Sequence, residues 1–168
     1  GASSMADYRP ISLLQSVAKL FSKVLAMRLA KRIDTLISPT QSAFIKGRCI
    51  QDNFIFVQGM ARHFHRTKRA AILLKLDIAK AFDTVSWPYL LDMMRARGFG
   101  SRWCNWITML LATSSSRVLV NGALGRSIRH HRGLRQGDSI SPFLFILAME
   151  PLQRLLDLAV RDGLLSKL

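Results

Sequence analysis

Only 10 of the 168 residues are Asp or Glu, so the place of each acid carries information. Asp77 follows the short apolar run Ile72-Leu73-Leu74-Lys75-Leu76. A carboxylate leaving a buried strand must meet a cation or a hydrogen-bond donor. Either Asp77 caps the helix that follows, or it is an oxygen ligand for a hard cation such as Mg²⁺. Asp83, a turn further on, is either a second acid of the same site or an ion-pairing residue. The other chemically loaded segment is Arg132-Gly133-Leu134-Arg135-Gln136-Gly137-Asp138-Ser139. Its glycines let backbone approach a ligand, and its arginines offer forked donors for phosphate. It leads into an apolar helix whose N-terminus adds partial positive charge. A plain surface loop is the alternative.

The elements that must position these groups are legible from periodicity. Helical spacing runs from Ser12 to about Ile37, with Ser12 and Gln15 in the form of a capping box and Ser38-Pro39 as the stop. Lys19, Lys23, Arg28, Lys31 and Arg32 ride on this helix, either as a solvated face or as a nucleic-acid face. A second helix is expected over Ile50 to His65, then a buried strand over Ala70 to Leu76. Ser86 with Pro88 opens another helix that Gly98 closes. Ser101 to Ala112 is helical, its Trp103 and Trp106 read as core aromatics rather than base-stacking platforms. Val118 and Val120 lead into Asn121-Gly122, a hairpin signal with a loop read as longer than two residues. From Ser141 to about Val160 an almost wholly apolar helix is expected to be buried on all sides. Helices, strand, helices, hairpin and helix without βαβ alternation give an α+β class.

Composition narrows the function. Lys plus Arg number 25, giving a formal charge of +15, while 49% of residues are hydrophobic. That is a basic globular chain, not a disordered tail, and its partner is a polyanion. The longest apolar run, Ile140 to Met149, is interrupted by Ser141 and Pro142 and is too short to span a bilayer. No secretion signal or lipidation motif is recognised, and no membrane partner is expected. Cys49 and Cys104 set up neither a zinc site nor a disulfide framework, so an intracellular, reducing compartment is expected.

Four segments in order carry a resemblance. They are Tyr8-Arg9-Pro10-Ile11-Ser12-Leu13; Ser38-Pro39-Thr40-Gln41-Ser42-Ala43-Phe44 with Gly47-Arg48; Leu76-Asp77-Ile78-Ala79-Lys80-Ala81-Phe82-Asp83; and Arg132-Gly133-Leu134-Arg135-Gln136-Gly137-Asp138-Ser139-Ile140-Ser141-Pro142. Together they resemble the reverse transcriptase domain of non-LTR (LINE-type) retrotransposons, in the variant abundant in plant genomes. Group II intron maturases have similar motifs.

The resemblance implies the fingers and part of the palm of a right-hand polymerase. Residues 1–69 would be fingers and 70–168 partial palm, with a fingers-proximal hairpin near 117–130 and no thumb. It implies two Mg²⁺ ions, an RNA template, a DNA primer and dNTPs, in a ribonucleoprotein of the nucleus or cytoplasm. Asp77 matches the first catalytic, metal-binding aspartate, with the Ile78 carbonyl as a secondary ligand. Asp83 matches a position that is often acidic but not a ligand. Phe82 matches the ring that excludes a 2′-hydroxyl, while core packing is its ordinary role. Arg9 and Lys19 match triphosphate contacts, Gln136 and Gly137 the lining of the nascent base pair, and Arg48 a template contact. Arg132 and Arg135 would meet nucleic-acid phosphates.

One departure matters. The family's aromatic-x-Asp-Asp hairpin supplies the other catalytic carboxylates, and no Asp-Asp pair occurs in these 168 residues. The chain alone is therefore expected not to polymerise, and its incomplete palm to aggregate or self-associate. Two other classes stay open: a non-catalytic nucleic-acid-binding relic, and an RNA-dependent RNA polymerase, against which Phe82 speaks.

Overall fold

The computed structural model describes residues 15–166. Arg9 and the Ser12 capping position lie outside them. The order is α1 (Ser16–Ala30), α2 (Ile33–Leu36), α3 (Ile50–Thr67), α4 (Ala81–Thr84), α5 (Trp87–Ala96), α6 (Ser101–Ala112), β1 (Ser115–Ser116), β2 (Leu119–Val120), β3 (Ala123–Leu124), β4 (Ile128–Arg129) and α7 (Ser141–Arg161). This is the expected α+β class, mostly helical, with short antiparallel strands.

The core is helical. α5 packs between α6 and α7, and α1 packs on α7. Leu90 and Met94 of α5, Ile107 of α6 and Leu147 of α7 are fully buried. Leu25, Leu29 and Ile33 close the core from the first two helices. α5 has the expected ends. The Ser86 hydroxyl accepts from Tyr89 N–H at its start. Past its end Gly98 takes φ +80°, and Gly98 and Phe99 donate to the carbonyls of Arg95 and Met94. Only that left-handed glycine lets both terminal carbonyls be capped at once.

Four expectations need correction. The first helix does not run on to Ile37. The Arg32 amide turns back to Leu29 O, and the Thr35 hydroxyl takes the Arg32 carbonyl. This local side-chain bond competes with the regular ladder. The second correction concerns Ala70 to Leu76, which forms no strand and stands exposed, Ile72 at 97%. A strand needs a neighbouring edge for its backbone groups, and the described strands pair only among themselves. Third, the hairpin loop is the two-residue type. β2 and β3 pair Val120 with Ala123, and both Asn121 and Gly122 have positive φ, as a type I′ turn demands. β1 and β4 extend the arm, pairing Ser115 with Arg129. Fourth, α7 is buried only in its first half. Leu144, Ile146 and Leu147 are covered, whereas Leu152, Leu155 and Leu156 are exposed.

Trp103 and Trp106 pack against the core, as expected. The Trp106 ring also carries the guanidinium groups of Arg102 and Arg28, at 4.9 and 5.8 Å. α3 buries none of its residues. Its C-terminal half and residues 70–73 face each other across an apolar cleft of about 570 Å³ lined by Phe56, Met60, Phe64 and Ile72. Among the described residues, no helix is long and apolar enough to cross a membrane.

A buried carboxylate ties three elements together. Glu150 of α7, 3% exposed, accepts from Ser38 N–H at 2.9 Å. It also pairs with Arg154 at 3.3 Å and Arg97 at 3.7 Å. Arg97 in turn donates to Leu36 O. Glu150→Ala should lower stability by about 2–3 kcal/mol, because it strips the partner from the mostly buried Arg97. Urea denaturation checks this, and a change below about 0.5 kcal/mol would contradict it.

Candidate functional site

The site begins where the irregular segment 70–78 turns. Lys80, at φ +50°, reverses the chain, and its carbonyl accepts from Asp83 and Thr84 to start α4. Lys80 is the N-cap of α4, and no side chain caps that helix. Asp77 therefore does not take the capping role. It is exposed, as is the neighbouring Ile78.

The loop from Arg132 onward is sewn to the segment that follows Asp77. Gly133 N–H donates to Val85 O at 2.8 Å, and Leu134 N–H to Phe82 O at 2.7 Å. The indole of Trp87 donates to Gly133 O at 2.7 Å. Gly133 has φ +84°, and a Cβ there would lie 2.7 Å from Asp83 O. Glycine is required at this crossing both for its torsion and for its closeness. Leu134 then inserts into the core at 3% exposure. The crossing brings Gln136 to Asp83, Nε2 to Oδ1 at 3.5 Å.

Phe82 stands over the same crossing. Its ring stacks on Phe145 of α7, centroids 4.6 Å apart, and meets Phe44 edge-on at 6.4 Å. The packing role is thus present. Two apolar motifs distant in sequence, around Phe44 and Phe82, converge here with the glycine loop.

A sequence model described as reverse transcriptase (RNA-dependent DNA polymerase) matches residues 2–165. The chain belongs to the reverse transcriptase family. Its relatives come from non-LTR retrotransposons. It is 33% identical over 145 residues to the transposon TX1 uncharacterized 149 kDa protein of Xenopus laevis, covering 86% of this chain and 11% of that protein. It is 31% identical to the Pol polyprotein of the type-1 retrotransposable element R2 of Nasonia vitripennis, covering 92% of this chain and 15% of the relative. The type-2 element R2DM polyprotein of Drosophila melanogaster is also 31% identical, with 89% and 14% covered. This reverse transcriptase chain thus spans between about a ninth and a seventh of these relatives' lengths.

The reverse transcriptase motifs do not all present free side chains. Arg48 donates to Ser38 O at 2.8 Å and Gln41 O at 2.6 Å, and pairs with Asp34 at 2.8 Å, so it braces its own loop. Arg135 donates from Nε to the Ser114 hydroxyl at 2.8 Å. Arg132 is exposed beside the arm that carries Arg117, Arg126 and Arg129, also exposed. Lys19 is exposed on α1. Gln136 is half-buried, and Gly137 is exposed at φ +91°. The Asp77 carboxylate and the Ile78 carbonyl, expected from the resemblance as metal ligands, are hard oxygen donors of the kind Mg²⁺ prefers. Among the described residues, however, no three acidic, His or Cys side chains gather into a metal-binding group. These residues fit one edge of a divalent-metal site and do not make a whole one.

Ser22, Ser114 and Trp87 are supporting residues that no motif in the sequence marks. They hold the loop in place. Ser22 carries a readable signal: a polar residue on the helix face shared by Leu25, Ala26 and Leu29. Gly133→Ala should cost about 2–4 kcal/mol, from a disfavoured torsion plus a backbone clash. Thermal unfolding checks it, and an unshifted melting temperature would contradict so close a crossing.

Proposed function

We propose that this chain is the fingers (1–69) and part of the palm (70–168) of an RNA-directed DNA polymerase encoded by a non-LTR retrotransposon. The supporting observation is the backbone crossing of Gly133-Leu134 on Phe82-Val85. It joins the two motifs that a nucleotide would have to touch together. The polymerase acts inside the cell, in a ribonucleoprotein with RNA template and DNA primer.

In this reading the primer 3′-oxygen attacks the α-phosphate of a dNTP, and pyrophosphate leaves. A divalent metal, when bound, would supply Lewis-acid charge for the attacking and leaving oxygens. Asp77 and the Ile78 carbonyl would hold one side of that centre, with the other carboxylates contributed by a longer parent protein. Phe82, pinned by Phe145, would lie under the sugar and bar a 2′-hydroxyl, the group that separates RNA from DNA precursors. Gln136, steadied by Asp83, and the exposed backbone of Gly137 would line the nascent base pair. Lys19 and Arg9 would meet the triphosphate, and Arg48 and Arg135 would shape the template side rather than merely add charge.

The same features support a second statement about the chain by itself. With +15 of formal charge and an exposed arginine arm, it binds nucleic acid. Log affinity should fall linearly with log salt.

Two measurements test the polymerase reading. In the parent polymerase, Asp77→Asn should cut Mg²⁺-dependent dNTP incorporation on a primed RNA template by about 10²–10³-fold, the worth of several kcal/mol at a metal centre. Near-wild-type activity in that variant would remove Asp77 from the mechanism. Phe82→Val should raise ribonucleotide incorporation relative to dNTP by about tenfold or more. An unchanged ratio would leave Phe82 with packing alone.

A further inference from the structure

Ser22 lies on the core face of α1 and is fully buried beside Leu25, Ala26 and Leu29. A hydroxyl in such a place is costly unless it is bonded. It is bonded twice, and both partners belong to the other end of the site. Ser22 Oγ donates to the Asp138 carboxylate and accepts from Ile140 N–H at 3.2 Å. Asp138 is itself only 4% exposed. It stands just ahead of α7, where the positive end of the helix favours a carboxylate, and its carbonyl accepts from Ser141 N–H at 3.3 Å.

The loop's anchors can be taken residue by residue. Gly133 and Leu134 are fixed to Val85 and Phe82. Arg135 is fixed to Ser114. Asp138 is fixed to Ser22. Gln136 and Gly137 lie between the second and third of these anchors. The Ser22–Asp138 bond therefore sets where the chain goes after Gly137, and so where Gly137 presents its backbone.

We propose that Ser22 and Asp138 are positioning residues for nucleotide binding: a buried hydrogen bond from α1 holds Gln136 and Gly137 in register with Phe82. The proposal rests on the polymerase reading above, in which Gln136 and Gly137 face the new base pair. Ser22→Ala removes little volume, and it leaves a buried carboxylate without the hydroxyl that solvates it. The cheapest relief is for Asp138 to move outward, and Gly137 moves with it.

Two readouts separate this proposal from the polymerase reading. In the 168-residue chain, Ser22→Ala should speed amide hydrogen exchange at 134–140 by about tenfold or more, the worth of a hydrogen bond to a charge. Amides of α5 and α6 should keep their rates. In the parent polymerase the same variant should raise the KM for dNTP about tenfold while kcat changes less than about threefold. Asp138→Asn keeps an acceptor oxygen for Ser22 and should hold KM within about threefold of the parent value. Combining Ser22→Ala with Asp138→Ala should add little to either single effect, as for one shared interaction. Unchanged exchange at 134–140 would overturn the anchor. Faster exchange with an unchanged KM would reduce it to a structural bond. If the unmutated parent incorporates no dNTP, the polymerase reading fails, and the exchange experiment alone decides the anchor.

Discussion

Everything in the site depends on one backbone crossing, where Gly133 and Leu134 bond to the carbonyls of Val85 and Phe82. The two segments meet so closely that a side chain at position 133 would enter Asp83. Backbone bonds at 2.7 and 2.8 Å fix position without depending on side-chain rotamers. Around them the anchors are polar and placed singly: an indole donor from Trp87, a guanidinium from Arg135, a hydroxyl from Ser22. The loop is an extension of the helical core rather than a flexible surface feature.

The same logic of buried acids with chosen donors recurs on α7. Asp138 lies ahead of its start and Glu150 at its middle, both nearly inaccessible. The first is met by a neutral hydroxyl, the second by an amide and two guanidinium groups. These contacts tie α1 to the loop, and tie the 38–48 segment and α5 to α7. Burial without those donors would be costly, so the pairings constrain which arrangement of helices the chain accepts.

The helical framework was largely legible in the sequence. Apolar spacing located α1 and α3, a nearly continuous apolar run located α7, and Ser86, Pro88 and Gly98 marked α5 by local chemistry. What could not be read depended on partners far along the chain. Residues 70–76 have the composition of a buried strand, yet composition supplies no edge to pair with. The exposed second half of α7 likewise reads as buried because periodicity cannot tell which faces find neighbours. In the site, Asp77 and the glycine loop stand out by type, and the resemblance adds the expected roles of Phe82, Gln136 and Gly137. Arg48 is expected as a template contact from the resemblance and Arg135 as a phosphate donor from its type, and intramolecular bonds to carbonyls, a carboxylate and a hydroxyl are not legible in either reading. Ser22 is marked in the sequence as a polar residue on an apolar helix face, but a single serine there names no partner.

The central claim is that the crossing presents Phe82, Gln136 and Gly137 to one incoming nucleotide. Its most direct test is an experimental structure of the parent polymerase with a primed RNA template, a non-hydrolysable dNTP and Mg²⁺. The account predicts the Phe82 ring against the sugar, Gln136 and Gly137 along the new base pair, and Asp77 on the metal. A nucleotide bound elsewhere, with Phe82 and the 133–138 loop packed only against protein, would contradict it.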